Sequence, residues 1–175
     1  MSDEADDIRA ALNGDGSAYE RIIRRHQQAI GRRMLRFTRD RREAEELTHD
    51  VFVEAYVNLR SFRGESPFEH WLQRIATRTG YKFWKRRGKN KAVELEVAEA
   101  VPTRSSAASD DLAEEVHRKL EQLPPRDRMV LTLLYVEERS VAEAAELIGW
   151  TQTMVKVQAF RARGKLKKLI EGSRP

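Results

Sequence analysis

The sequence predicts an all-α protein with two small helical domains joined by a flexible linker. Apolar residues recur at steps of three and four along most of the 175 residues, which is the spacing of amphipathic helices. Sustained alternation of apolar and polar residues, which marks a half-buried strand, is found nowhere in the sequence. Residues 89–110 are rich in Ser, Ala and acidic residues and develop no apolar face, which is typical of a linker.

The first domain is expected over residues 1–88, with three helices behind a short N-terminal one. Asp40 with Glu43 and Ser66 with Glu69 have the spacing of capping boxes and indicate two helix starts. The predicted apolar faces of the three longer helices consist of Tyr19, Ile22, Ile23, Ile30, Met34 and Phe37; of Ala44, Leu47, Val51, Ala55 and Leu59; and of Phe68, Leu72, Ile75, Thr79 and Phe83.

The second domain is expected over residues 111–175 and contains four helices. Pro124-Pro125 ends the first of them, and Ser140 starts the third with a Glu three residues later. Gly149 suits a left-handed residue after the third helix, and Thr151 can cap the fourth. The last two helices therefore form a helix-turn-helix. The apolar positions of the first three helices are Leu112, Val116, Leu120 and Leu123; Val130, Leu131, Leu134 and Tyr135; and Val141, Ala144, Ala145 and Ile148.

The net charge of +5 is distributed unevenly. Residues 61–91 have 9 Lys/Arg against 2 Asp/Glu, and residues 126–175 have 10 against 6. Residues 92–125, between them, have 3 against 8. Two basic blocks separated by an acidic one suggest two sites for a polyanion, although a solvated helix face is the alternative explanation of either block.

Composition and motif searches exclude several classes of protein. The absence of cysteine excludes disulfides and thiolate-bound zinc. No run approaches the roughly 18 apolar residues of a membrane span, and the acidic N-terminus has no apolar core of a signal peptide, so we expect a cytoplasmic protein. The four histidines show no ligand spacing, and the segment 13–16 fits a turn rather than a calcium loop. We therefore expect no metal, no cofactor and no enzymatic activity.

The last helix presents a basic face that suits a DNA major groove. Its core side is predicted to consist of Val155, Ala159, Ala162, Leu166 and Leu169. Its opposite side consists of Lys156, Val157, Phe160, Arg161, Gly164, Lys167 and Lys168. Lys156 and Arg161 can donate hydrogen bonds to guanine or to phosphate. Phe160 could meet thymine methyl groups, and packing on another domain or a protein partner is the alternative.

The third long helix combines cations with aromatic residues. Arg74, Arg78, Tyr81 and Lys85 share one flank, and Trp84 lies beyond them. This mixture favours single-stranded or melted nucleic acid, because bases stack on rings while cations hold phosphates. The loop 62–66 before the helix contains a glycine and side-chain acceptors, and such a loop could receive an extruded base.

Four segments are similar to motifs of one known family. Residues 43–52 resemble the pattern "DAEDLxQxVF", and residues 62–76 resemble "FRGxSxFxxWLxRIA". Residues 123–128 are similar to "LPxxxR", and residues 155–163 to "TVKSRLxRAR". In this order they resemble the extracytoplasmic-function (group 4) sigma factors of bacterial RNA polymerase, in which the last two patterns open the C-terminal domain and form its recognition helix. The resemblance covers about 17–87 and 112–170.

The resemblance implies a protein that binds core RNA polymerase and directs it to promoters. Sigma region 2 would occupy residues 1–88 and sigma region 4 residues 111–175, with the linker 89–110 directed toward the RNA exit path. Members of the family are commonly held inactive by an anti-sigma factor, which is therefore a further expected partner. Contacts with the clamp helices of the large polymerase subunit would be made by Glu45, Glu46, Leu47, His49, Asp50 and Phe52.

The same resemblance assigns two groups of DNA-binding residues. The minus-ten element would be recognised and melted by Phe62, Arg63, Gly64, Glu65, Ser66, Phe68, Arg74, Arg78 and Lys82. The minus-thirty-five element would be read by Thr153, Lys156, Val157, Phe160, Arg161 and Arg163. Val157 and Gln158 stand where Ser and Arg are frequent in the family, so the promoter sequence is open.

Two alternatives come from other functional classes. A stand-alone helix-turn-helix repressor or activator would use the first domain to sense a signal or to dimerise, and would bind operator DNA without polymerase. Glu45, Glu46 and Asp50 could also be a carboxylate cluster for magnesium chemistry. Their helical spacing and basic surroundings favour a solvated or partner-binding face instead.

Overall fold

A computed structural model describes residues 3–94 and 110–172, and all regular elements in these ranges are helices. This confirms the predicted all-α fold. The chain divides into two compact units, Met1–Phe83 and Trp84–Pro175. Among the described residues, no helix has the length and apolar character needed to span a bilayer.

The first unit contains three complete helices and most of a fourth. They are α1 (Glu4–Leu12), α2 (Gly16–Met34), α3 (Arg41–Val57), a short 3₁₀ turn at Leu59–Ser61 and α4 (Phe68–Glu94). The side chain of Asp15 caps α2 and that of Asp40 caps α3, each by accepting two backbone N–H bonds. The predicted apolar faces form the core of this unit, except that Ile23 and Phe83 are only half-buried.

The α1 helix is held to α2 by charged groups as well as apolar ones. The carboxylate of Asp7 has no exposed surface and lies 2.8 Å from the Arg21 guanidinium and 3.4 Å from that of Arg25. A Glu4 carboxylate oxygen lies 2.6 Å from Nε2 of His26. The polar contacts therefore fix α1 along the first half of α2.

The second unit contains the helix-turn-helix. Its elements are α5 (Asp110–Glu121), α6 (Pro125–Leu131), a π-helical turn at Thr132–Val136, α7 (Val141–Ile148) and α8 (Gln152–Glu171). A core cluster joins Leu120 of α5 and Leu123, which follows this helix, to Leu131 of α6 and Ala162 of α8. Since α8 contributes to this cluster, its orientation is set by packing on α5 and α6.

Helix α4 continues beyond its predicted end near residue 87. It extends to Glu94, so the first residues of the predicted linker 89–110 are helical, and Asp110 already belongs to α5. Gly88 is the only helix breaker in this stretch, and one glycine costs a helix only about 1 kcal/mol relative to alanine. Residues 95–109 of the predicted linker lie outside the described ranges.

Three predicted positions are wrong in detail. Val116 was expected on the apolar face of α5, but it is 41% exposed. Tyr135 was expected in the core, but it is 57% exposed, while Leu133 is fully buried. The π-helical turn explains the shift, because its hydrogen bonds span five residues and change the phase of the face. Trp84 was expected beyond the cationic flank of α4, but it is buried, with the Arg128 guanidinium 4.0 Å from its ring centroid.

Candidate nucleic-acid and partner interfaces

The loop between α3 and α4 is anchored on a cluster of aromatic rings. The Phe62 ring lies edge-on to that of Phe68, with centroids 5.2 Å apart, and 5.6 Å from that of Trp71. Phe68 and Trp71 are buried, whereas Arg63, Gly64 and Glu65 are exposed. The tip of the loop is therefore presented to solvent from a rigid base.

Gly64 determines the shape of that tip. Its φ of +72° lies in the left-handed region, where a side chain is strained. An added Cβ would meet no atom within 4 Å, so the requirement for glycine comes from the backbone and not from crowding. Ser66, later in the loop, is half-buried.

The aromatic cluster is supported from α1 and α2. The ring of His26 lies 5.6 Å from that of Phe68, and its Nε2 contacts Glu4 as described above. These contacts link the N-terminal helix to the base of the loop. Sequence reasoning missed this support, because neither Glu4 nor His26 belongs to a motif.

Helix α4 places its cations beside the loop. Arg74 is half-buried, while Arg78 and Lys82 are exposed, and Lys82 Nζ lies 3.4 Å from a carboxylate oxygen of Glu54 in α3. The buried guanidinium of Arg33 in α2 donates to Gln73 and, over 2.8 Å, to the hydroxyl of Thr77. Since these bonds fix the rotation of α4, the cationic flank has a defined direction.

Helix α3 exposes an acidic face. Glu45, Glu46, His49 and Asp50 are all exposed. Arg41 and Arg42 pair with Glu45 and Glu46 one turn away, each at 3.3 Å. Exposed pairs of this kind contribute little to stability, so the face remains available to a partner.

Three residues predicted to contact partners lie in the core instead. Leu47, Phe52 and Phe68 are at most 5% exposed, so the expectation that their side chains touch polymerase or DNA is corrected. The sequence motifs place these residues next to contact positions but do not reveal which side faces inward. Val53 and Val57, which no predicted site includes, are 48% and 74% exposed. Val53 lies three residues after Asp50 and Val57 four residues after Val53, so helical spacing could have placed them on the same face.

The start of α8 is fixed by local hydrogen bonds. Ser140 and Glu143 form a reciprocal capping box at the start of α7, with distances of 2.8 and 3.1 Å. Gly149 has a φ of +80° and turns the chain between the helices. The Thr151 hydroxyl accepts a bond from the Met154 N–H over 3.2 Å. These contacts confirm the predicted turn and cap.

The two sides of α8 have the predicted character. Val155, Ala159 and Ala162 are buried, and Leu166 and Leu169 pack against the core at half exposure. The predicted minus-thirty-five residues are all exposed, namely Thr153, Lys156, Val157, Phe160, Arg161 and Arg163. Phe160 is the most exposed large apolar residue apart from Val57 in the described part of the chain, at 73%.

A buried carboxylate holds polar groups of α8 against α6. Asp127 is 1% exposed; it accepts a bond from the Gln158 amide and lies 2.6 Å from Nζ of Lys165. Arg163 donates to the hydroxyl of Tyr135 over 2.7 Å. Lys165 and Gln158 are therefore committed to packing, which sequence reasoning could not separate from the rest of the basic helix.

Comparison with known proteins identifies both units. Residues 22–90 match the model of sigma-70 region 2, and residues 113–166 match that of sigma-70 region 4. The RNA polymerase sigma-H factor of Pseudomonas aeruginosa is 30% identical, over 94% of this chain and 92% of its own. The ECF RNA polymerase sigma factor SigW of Bacillus subtilis is 27% identical, over 93% and 94%.

Solved structures support the fold. CnrH in complex with the cytosolic domain of CnrY is 23% identical, with a TM-score of 0.60 over 96% of this chain and 97% of that one. RpoE from Bartonella quintana, bound to the anti-sigma factor NepR, is 21% identical, with a TM-score of 0.58 over 89% and 98%. The chain therefore belongs to the extracytoplasmic-function sigma factors, which bind core RNA polymerase and direct it to initiate transcription at promoters.

Proposed function

We propose that this group 4 sigma factor works in the cytoplasm as a non-catalytic subunit with three separate contact surfaces. The observation that carries this proposal is the distribution of charge over exposed helix faces. The acidic face lies on α3, one cationic flank on α4 and one basic face on α8. An acidic face is unsuited to DNA, whereas the two basic faces suit phosphates.

The polymerase-binding surface is the outward face of α3. Its charged members are Glu45, Glu46, His49 and Asp50. Val53 and Val57 add exposed apolar area along the same face, and apolar area supplies binding energy that surface charges alone do not. Leu47 and Phe52 act by packing this helix in place.

The minus-ten surface combines the loop with the flank of α4. The exposed tip formed by Arg63, Gly64 and Glu65 receives a base extruded from the duplex. Phe62 and Ser66 form the half-buried walls of the loop, and Phe68 supports them from the core. Arg74, Arg78 and Lys82 hold the phosphates of the melted strand.

The minus-thirty-five surface is the exposed face of α8, which enters the major groove. Thr153, Lys156, Val157 and Phe160 lie in its first three turns, from which a recognition helix reaches base edges. Arg161 and Arg163 contribute positive charge along the same surface. Residues 89–110, whose middle part lies outside the described ranges, connect the two DNA-binding regions in this proposal.

An anti-sigma factor controls the activity in this proposal. Support comes from the solved neighbours, since RpoE of Bartonella quintana is held in complex with the anti-sigma factor NepR. The exposed valines of α3 give such an inhibitor an apolar surface to cover. Covering that face would block polymerase binding directly.

The test separates polymerase binding from promoter recognition. Asp50→Lys should reduce the affinity of the chain for core RNA polymerase at least tenfold, because it reverses a charge in the centre of the α3 face. Glu20→Lys is the matched control, since Glu20 is an exposed acid on α2 that pairs with its own helix neighbour Arg24. Equal losses for the two variants would contradict the assignment of the α3 face.

A second pair of variants tests the DNA surfaces. Lys156→Ala and Arg161→Ala should impair transcription from promoters while leaving the affinity for core polymerase unchanged. A parallel loss of core binding would show that the face of α8 has been assigned wrongly. Native gel shifts with purified core polymerase and single-round transcription give the two readouts.

A further inference from the structure

We propose that α8 reads its promoter element mainly through thymine methyl groups, which Val157 and Phe160 contact in the major groove. This inference rests on the proposed role of α8 as the minus-thirty-five reader. It adds the base chemistry that the helix selects, on which the family assignment is silent.

The centre of the exposed face of α8 is apolar. At 100° per residue, Thr153, Val157, Phe160 and Gly164 lie opposite the core residue Val155 and its row. Val157 is 45% exposed and Phe160 is 73% exposed. A Cβ at Gly164 would meet no atom within 4 Å, so the middle of this face is open for close approach. The residues best placed to meet the groove floor therefore offer methyl groups, an aromatic ring and one hydroxyl.

Cations lie on both sides of this apolar row. Lys156 and Lys167 occupy one flank, and Arg161 and Lys168 occupy the other, all exposed. A helix in the major groove faces a phosphate backbone on each side. The arrangement thus matches a groove with the cations at its walls and the apolar row at its floor.

Three side chains of α8 that could read bases by hydrogen bonding are turned elsewhere. Gln158, whose amide could pair with adenine, donates to the buried carboxylate of Asp127. Lys165 is paired with the same carboxylate at 2.6 Å, and Arg163 donates to the Tyr135 hydroxyl. Bidentate readout of adenine or guanine by these groups would require those bonds to be broken.

The major groove offers one apolar group to such a surface. Guanine, adenine and cytosine present acceptors and amino donors there, whereas thymine presents its C5 methyl group. An apolar side chain placed against an amino or carbonyl group would leave that group without its water, which costs binding energy. Val157 and Phe160 therefore favour thymine and disfavour the polar edges of the other bases.

The test replaces thymine with uracil, which lacks only the methyl group. Promoters are first selected from random duplex DNA with the reconstituted holoenzyme. Each thymine of the selected minus-thirty-five element is then replaced singly by uracil, and holoenzyme affinity is measured by competition. We expect a loss of roughly fourfold for each contacted methyl, the value of one buried methylene-sized group.

Coupling between protein and DNA identifies the contact. The uracil effect is the ratio of the affinities for the thymine and the uracil promoter. In Val157→Ala and Phe160→Ala holoenzymes, this ratio should shrink toward one at the contacted position, because the partner of the methyl group is already gone. Ile170→Ala is the matched control: Ile170 is an exposed apolar residue at the end of α8, at 44%, and lies off the central row. Its holoenzyme should retain the full uracil effect.

Three results would overturn the proposal. Uracil could be tolerated at all positions while Lys156→Ala still weakens promoter binding, which would refute methyl readout and leave the sigma function intact. Phe160→Ala could lower the affinity for core polymerase without DNA, which would assign Phe160 to a protein contact. The selection could yield no promoter at all, which would contradict the proposed sigma function as well as methyl readout.

Discussion

The two DNA-binding regions are built in different ways. The proposed minus-ten region is a loop whose exposed tip depends on a ring cluster, in which Phe62, Phe68 and Trp71 contact one another and His26 contacts Phe68. The minus-thirty-five region is one face of a capped helix, and the proposed reading residues Val157 and Phe160 lie in solvent. Stability and recognition are therefore coupled in the first region and separable in the second.

The largest expected difference in the free energy of unfolding is between the alanine variants of two phenylalanines. Phe68→Ala should lower the free energy of unfolding by about 3–5 kcal/mol, because Phe68 is 2% exposed and its removal leaves a cavity. Phe160→Ala should change it by less than about 0.5 kcal/mol, as for other surface substitutions. Urea unfolding of the two variants measures both values, and similar losses would contradict the comparison.

A smaller difference in stability is expected between the alanine variants of two helical glycines. In Gly80→Ala, the new Cβ would lie 2.2 Å from the ring of the buried Phe37. Overpacking of this kind costs about 1–3 kcal/mol and outweighs the gain of about 1 kcal/mol from helix propensity. Gly164→Ala meets no atom and should retain that gain. Thermal unfolding should show a lower midpoint for Gly80→Ala and a higher one for Gly164→Ala. A stabilised Gly80→Ala protein would refute the close contact of α4 with Phe37.

Asp127 tests whether recognition by α8 is separable from the stability of the second unit. Asp127→Asn removes the charge that Lys165 meets while keeping an acceptor for Gln158, and should cost about 1–2 kcal/mol, since Lys165 is half-exposed. Promoter affinity should fall to the same extent as in Lys165→Gln, because both substitutions break the same ion pair and Asp127→Asn keeps an acceptor for Gln158. A larger loss in Asp127→Asn would show that the negative charge of Asp127 also positions α8 through Gln158.

The smallest effect concerns a single surface charge. Lys156→Ala should leave stability unchanged and reduce the salt dependence of promoter binding by about one unit in the slope of log K against log salt, as for one lost phosphate contact. Titration of holoenzyme affinity at several salt concentrations gives the slope. An unchanged slope together with altered sequence preference would place Lys156 on a base.

Local sequence signals predicted most of the fold. Capping residues such as Asp40, Ser140 and Thr151, and the left-handed Gly149, act within a few residues of their position. Apolar spacing predicted the cores of both units for the same reason. These features are readable because each depends on one turn of helix.

The remaining features depend on contacts distant in sequence. The burial of Trp84, the phase shift at Tyr135 and the support of Phe68 by His26 have no local signature. Motif resemblance likewise named Leu47 and Phe52 without revealing that they face the core. Residues that carry a motif and residues that touch a partner are different sets, and packing decides between them.

We expect this chain to recognise promoters only as a subunit of RNA polymerase. Its most direct test combines purified chain, core polymerase and a promoter selected by the holoenzyme, and compares transcription with duplex binding by the chain alone. The expected result is transcription from a discrete start that requires the chain, together with weak duplex binding without polymerase. Specific binding of the duplex by the chain alone, with no transcription when core polymerase is added, would contradict it and favour a stand-alone helix-turn-helix regulator.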